Sequence, residues 1–242
     1  MITEFAFGLI AGAFLGLLGG GGSAIAVPML IYGLGLGTKS AIGTSLLVVA
    51  IASALGSYSQ YKAGLVNVRI ATIFGSVGAV TSFAGAVIAR SLPDVLQMYI
   101  LAGLMLVSAV AMLFRNRLQE STSGNKLLHA LAAAAFVGVL TGIVGVGGGF
   151  LLVPALTIMM GLALPEAIAT SLVVVAANST IAALAYLSYV PKDWSILIFA
   201  LGMSLACPLV GRLATQLNET TLRRVFSVVL VLLACFIFIK TV

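Results

Sequence analysis

Apolar residues fill this chain in long blocks that leave no face polar, and glycine, proline or short charged runs separate the blocks. The windows 70–89, 95–114, 167–190 and 225–239 carry no charge at all, and apolar runs near or above about 18 residues can cross a bilayer as helices. The strands of a membrane barrel would instead alternate apolar and polar positions in runs of about ten. The pattern predicts helices over 5–18, 24–34, 39–60, 70–89 and 95–114, a polar interval, and then helices over 129–144, 150–161, 166–188, 194–214 and 220–239.

Two blocks are interrupted from within. Gly19-Gly20-Gly21-Gly22-Ser23 is followed by Val27-Pro28, and Gly145-Val146-Gly147-Gly148-Gly149 by Val153-Pro154. Each glycine inside a helix costs roughly 1 kcal/mol relative to alanine, so continuous helix should fail at both places. Inside hydrocarbon, broken backbone is tolerated only where protein covers it or it lines a watery cavity. Both breaks are therefore candidate solute sites. Gly8, Gly12 and Gly16, at a spacing of four, read instead as a close-packing surface.

The interruptions belong to a duplication. An offset of 126 aligns residues 12–114 with 138–240 without a gap, pairing Gly12 with Gly138, Gly16 with Gly142, Gly19 with Gly145, Pro28 with Pro154 and Gly35 with Gly161. It also pairs Thr44-Ser45-Leu46 with Thr170-Ser171-Leu172 and Ser53 with Ser179. Chance matching in a membrane chain would favour leucine, valine and alanine over this set. The chain thus reads as an all-α polytopic membrane protein. It has a first repeat at 1–114, a linker at 115–128 and a second repeat at 129–242, each repeat holding a glycine-broken helix pair and three spanning helices.

Composition sharpens the class. The 242 residues are 62% hydrophobic and 7% charged, against about 25% charged in soluble domains. The opening Met1-Ile2-Thr3-Glu4 lacks the basic region of a secretory signal, so the first helix reads as mature structure. The formal charge of +6 follows from loop lysines and arginines rather than a basic domain, so nucleic acid is not an expected partner. If each short helix pair returns to its starting side, the repeats are inverted. One side then holds Lys62, Arg69, Arg115, Arg117, Lys126, Arg212, Arg223 and Arg224, and the other Lys39, Arg90, Lys192 and Lys240. If each pair is one broken span, the repeats are parallel and the bias shrinks. The inverted reading places the linker in the cytoplasm and both termini outside.

The candidate chemistry is uncharged. A helix beginning after a glycine break presents free N–H groups and a positive dipole end, which favour an anion. Pro28 and Pro154 are expected near the first turn of such helices. The solute-binding candidates are Gly20, Gly21, Gly22, Ser23, Gly147, Gly148 and Gly149 from the breaks, with Thr44, Ser45, Thr170 and Ser171 as hydroxyl donors. Ser53 and Ser179 lie two turns further along. Asn178 needs partners for its amide within an uncharged run and serves as a solute contact or an interhelical clamp. Ser and Thr can alternatively bond a carbonyl one turn back. Cys207 and Cys235 read as small core residues, His129 as a headgroup-level side chain. No catalytic triad, paired carboxylates, metal cluster or cofactor motif is expected, nor the intramembrane acid or histidine of a proton-coupled transporter. The protein is not expected to be an enzyme.

The residues from Gly16 to Pro28 and from Gly142 to Pro154, with Ala41-Ile42-Gly43-Thr44-Ser45 and Ala167-Ile168-Ala169-Thr170-Ser171 after them, resemble the sulfite exporter TauE/SafE family over nearly the whole chain. The resemblance implies a bacterial inner-membrane permease for small inorganic or organosulfur anions such as sulfite or sulfonates. Joined to the repeat, it gives an exporter working by alternating access, with the anion held between the breaks, in the bilayer, with no cofactor and with a homo-oligomer left open. A passive anion channel and a structural membrane protein whose glycines only pack helices are the alternatives.

Overall fold

The computed structural model describes residues 2–114, 126–191, 193–214 and 218–241, with only the backbone described at 20, 21, 126–129 and 241. Most of the expected linker, Lys192 and the His129 side chain lie outside that description. Among the described residues there are ten α-helices and no strand. The first five are α1 (Ile2–Leu18), α2 (Ser23–Pro28), α3 (Thr38–Lys62), α4 (Val68–Ala89) and α5 (Asp94–Leu113). The others are α6 (Lys126–Val144), α7 (Gly149–Met159), α8 (Leu164–Tyr186), α9 (Trp194–Ala214) and α10 (Glu219–Thr241). Six of these, α3, α4, α5, α8, α9 and α10, are long and apolar enough to cross a membrane. The expected boundaries hold to within about three residues at most ends, because helix is the one structure in which an isolated apolar segment satisfies its own backbone.

Contacts between small residues reveal how the helices run. Gly8, Gly12 and Gly16 of α1 meet the backbone of Phe199, Met203 and Cys207 of α9, so α1 and α9 are parallel. Gly138 and Gly142 of α6 meet Gly78 and Ser82 of α4 in the same sense. The spacing-four glycines are the close-packing surface expected of them, since a Cβ on any of these would overlap a neighbouring backbone. At the centre, Gly43 of α3 lies against Tyr186 of α8 and Gly56 against Leu172, so α3 and α8 are antiparallel. Tyr99 beside Phe238, and Ser227 donating to the Ala109 carbonyl at 3.2 Å, make α5 and α10 antiparallel as well. The central pair is the most enclosed, with 67% of the most hydrophobic window of α3 and of α8 buried against 33–44% for the other spans.

Each short helix after a break ends in the same way. Leu36 N–H reaches back to the Leu30 carbonyl across Gly35, and Leu162 N–H to Leu156 across Gly161, a return bond one residue longer than the six-to-one bond of a Schellman turn. Gly35 and Gly161 sit at φ 70° and 69°, where an L side chain is strained.

The prolines stand deeper than the first turn where they were expected. Pro154 is the sixth residue of α7, and Pro28 closes α2 immediately before a π-helical turn, Met29–Gly33. A proline there withholds the N–H that the carbonyl four residues back requires. For Pro154 that carbonyl belongs to Phe150, and Ser108 of α5 supplies the donor at 2.7 Å. Ser108→Ala is therefore expected to cost about 1–3 kcal/mol. In a Pro154→Ala background, where the helix regains its own donor, the cost should shrink toward zero. Denaturant melts of the double-mutant cycle check this, and an equal cost in both backgrounds would remove the explanation.

One cysteine also departs from expectation. Cys207 is buried, but Cys235 is exposed, because its position on α10 faces away from the bundle.

Candidate functional site

The two glycine runs break the chain by different means. Gly19 is left-handed at φ 62°, and Gly19–Gly22 then forms a 3-10 turn that leads into α2 with Gly22 right-handed at φ −70°. Gly145, Gly147 and Gly148 are all left-handed, at φ 67–69°, so α7 starts afresh at Gly149. The N–H groups of Leu151 and Leu152 both close onto the Gly148 carbonyl at 3.0 Å. Only α7 therefore presents a newly started helix end of useful length; α2 has six residues.

In both cases the chain doubles back. Gly22 packs on Leu15 and Gly33 on Phe7, so α2 and the π turn retrace α1. Gly148 packs on Thr141 of α6, while Ser108 with Phe150 and Met112 with Thr157 set α7 parallel to α5. The tip of each hairpin rests on the central pair. Gly19 lies against Ile168 and Ser171 of α8, and Gly145 against Ile42 of α3. Gly147 reaches deepest, between Val175 and Ser179 of α8 and Val49 of α3. The Gly19–Gly22 turn also touches α7, so the two breaks adjoin.

The polar side chains of the central pair divide into two groups. Thr170 and Ser171 have structural partners: Thr170 Oγ1 accepts the Asn67 N–H at 3.0 Å, and Ser171 donates to the Ile168 carbonyl at 2.8 Å, the one-turn-back bond. Asn67 itself caps α4, accepting from Ile70 N–H at 3.2 Å and donating to Glu166 at 3.0 Å. Thr44, Ser45, Ser53 and Ser179 are fully buried and Asn178 is 1% exposed, yet their hydroxyl and amide atoms have no hydrogen-bond partner. Asn178 fits because Gly78 of α4 leaves it room. It forms no side-chain clamp, and its backbone carbonyl takes the cross-helix bond, from Ser82 at 3.1 Å. Ser23 is buried in α2, and Gly20 and Gly21 lie within the 3-10 turn.

The antiparallel crossing decides which of these meet. Gly56 opposite Leu172 puts Ser171 level with residue 57, so Ser45 stands about twelve residues away, or about 18 Å at 1.5 Å per residue. Thr44-Ser45 and Thr170-Ser171 therefore lie at opposite ends of the pair and cannot hold one small solute together. Ser179 is level with about residue 49, only about 6 Å along the axis from Ser53. Ser53 and Ser179 are thus the paired hydroxyls nearest each other along the axis, with Gly147 against Ser179, while the neighbouring Asn178 packs on Gly78 of α4. Ser53 and Ser179 were legible as a recurring pair, but sequence offered no measure of their nearness.

The contact is dry. Full burial of these hydroxyls means that no water-sized space adjoins them. Leaving such a group unpaired costs about 1–3 kcal/mol each, so the centre has donors available to a solute and pays for them in stability. Among the described residues, no group of three metal-capable side chains occurs.

Comparison with known proteins matches residues 4–237 to the family model described as "Sulfite exporter TauE/SafE". A probable membrane transporter protein of Xylella fastidiosa is 32% identical, over 98% of this chain and 94% of its own length. The probable membrane transporter protein YdhB of Bacillus subtilis is 28% identical, over 86% of this chain and 87% of its own. No solved structure matches significantly.

Proposed function

Because this chain belongs to the sulfite exporter TauE/SafE family of membrane transporters, we propose that it exports small sulfur-containing oxyanions, sulfite or organosulfonates, across a bacterial inner membrane. The observation that carries the reading is the set of buried, unpartnered donors along the middle of the central helices at Ser53, Asn178 and Ser179, with Ser179 against Gly147 of the second glycine break. A hydroxyl and amide site without a fixed cation binds an anion weakly and releases it readily.

The halves are inverted repeats. Under the 126-residue offset α1 lies on α9 as α6 lies on α4, and α3 lies on α9 as α8 lies on α4. The equivalent helices α3 and α8 are antiparallel, as are α5 and α10. A two-fold axis in the membrane plane produces that relation; an axis along the membrane normal would leave equivalents parallel. This supports the plan of secondary transporters, with the solute near the midplane between broken helices. It also collects Lys62, Arg69, Arg212, Arg223 and Arg224 at one end with the linker, which is then cytoplasmic.

The sealed centre favours alternating access over a passive channel, since a channel needs a continuous opening. It also suits glycines that only pack helices, but that reading gives the unpartnered donors no role. Purified protein should gain thermal stability with sulfite or sulfoacetate in a screen including sulfate, thiosulfate and taurine, and should show saturable efflux from loaded proteoliposomes. A screen in which no sulfur anion shifts the melt and none leaves the vesicles overturns the solute class.

A further inference from the structure

The two ends of the central helix pair are closed by residues at equivalent repeat positions. Beyond Gly19 stands Ile168, and beyond Ile168 a cleft lined by Gln60, Pro165, Gly211, Ala214 and Leu222, too narrow for a water molecule. Gln60 is 2% exposed; its Nε2 donates to the Gly211 carbonyl at 2.9 Å, tying α3 to α9, while its Oε1 is buried without a partner. At the opposite end Ile42 stands against Gly145, and the neighbouring Gly43 is covered by Tyr186, a fully buried aromatic side chain. Ile42 and Ile168 are equivalents under the offset of 126, and so are Gln60 and Tyr186.

The surroundings match in kind. Arg212, exposed next to the Gln60 plug, donates from Nε to Ser59 Oγ at 2.8 Å. Arg90, exposed at the other end, lies 5.7 Å from the ring of Tyr189, whose centroid is 6.0 Å from that of Tyr186 with the rings tilted at 55°. α-Helix ends at Tyr186 and gives way to a 3-10 turn, Leu187–Tyr189, so the tyrosine sits where the backbone changes geometry. The glutamine side is held by two side-chain bonds between α3 and α9, Gln60 to Gly211 and Arg212 to Ser59. We propose that Gln60 and Tyr186 are the two gates of the transport path, each with an arginine at its mouth that draws anions toward it. The proposal rests on the transport reading and adds the residues that close each side.

The test reads access directly. In a background of Cys207→Ala and Cys235→Ala, Ser45→Cys reports from behind Tyr186 and Ser171→Cys from behind Gln60. Sealed vesicles of both orientations are treated with a membrane-impermeant thiol reagent. Tyr186→Ala is expected to raise labelling of the Ser45→Cys reporter at least about tenfold, only from the side of Lys39 and Arg90. Gln60→Ala should do the same for the Ser171→Cys reporter, only from the side of Lys62 and Arg69. Tyr186→Phe, which keeps the plug, should leave labelling unchanged. If Tyr186→Ala does not fold, Tyr186→Leu replaces it and the Gln60 arm stands independently. Unchanged labelling in folded Gln60 and Tyr186 variants overturns the gates. Side-specific labelling in a protein that moves no sulfur oxyanion upholds them and removes only the solute assignment.

Discussion

Asn178→Leu, and Ser53→Ala combined with Ser179→Ala, are expected to make the protein more stable and less active. In the closed structure these side chains bury polar atoms with no partner, and replacing such a group by an apolar one of similar shape removes a penalty of about 1–3 kcal/mol. Leucine copies the branching of asparagine, and Gly78 leaves the same space for it. The same substitutions remove the donors proposed to hold the anion, and a loss of about 1.4 kcal/mol in solute stabilisation already lowers flux tenfold. Thermal melts in detergent should therefore move up while proteoliposome efflux falls at least about tenfold. Lower melting temperatures in every variant would identify the groups as structural and remove them from the site.

The second large effect concerns the paired glycine seams. A Cβ at Gly16 overlaps the Cys207 carbonyl and crowds Gly211 N; a Cβ at Gly142 overlaps the Ser82 carbonyl and crowds Ala86 N. These obstacles are backbone, which cannot swing aside as a side chain can, so Gly16→Leu and Gly142→Leu must separate two helices. Overpacking of a core costs about 1–3 kcal/mol and occasionally more, and with backbone as the obstacle each should exceed 3 kcal/mol. The expected result is loss of monodisperse protein on size exclusion. Gly103→Ala is the matched control: it is helical with nothing within 4 Å, and should stabilise by up to about 1 kcal/mol. If Gly142→Leu behaves like Gly103→Ala, the seam is not a close contact.

Much of this architecture was legible because its causes are local. The helix blocks and the breaks at Gly19 and Gly145 follow from backbone hydrogen bonding in hydrocarbon and from glycine's cost within a helix. The depth of Pro154 in its helix was not legible, because its cost is met by Ser108, a residue 42 positions before the Phe150 carbonyl it serves, whose nearness is tertiary. Cys235 was misplaced for a related reason: in a helix apolar on all sides, composition does not tell the face toward protein from the face toward lipid.

The sequence by itself determined that this is a helical membrane protein broken at two glycine runs, since hydropathy and glycine cost need no tertiary knowledge, and its 126-residue offset made a duplication the expectation. The tertiary structure decided which equivalents meet. Antiparallel α3 and α8 carry paired positions toward opposite ends in proportion to their distance from the crossing, so Thr44-Ser45 and Thr170-Ser171 separate while Ser53 and Ser179 converge. An offset records equivalence but not distance from the axis, and that distance decides which equivalents lie close together.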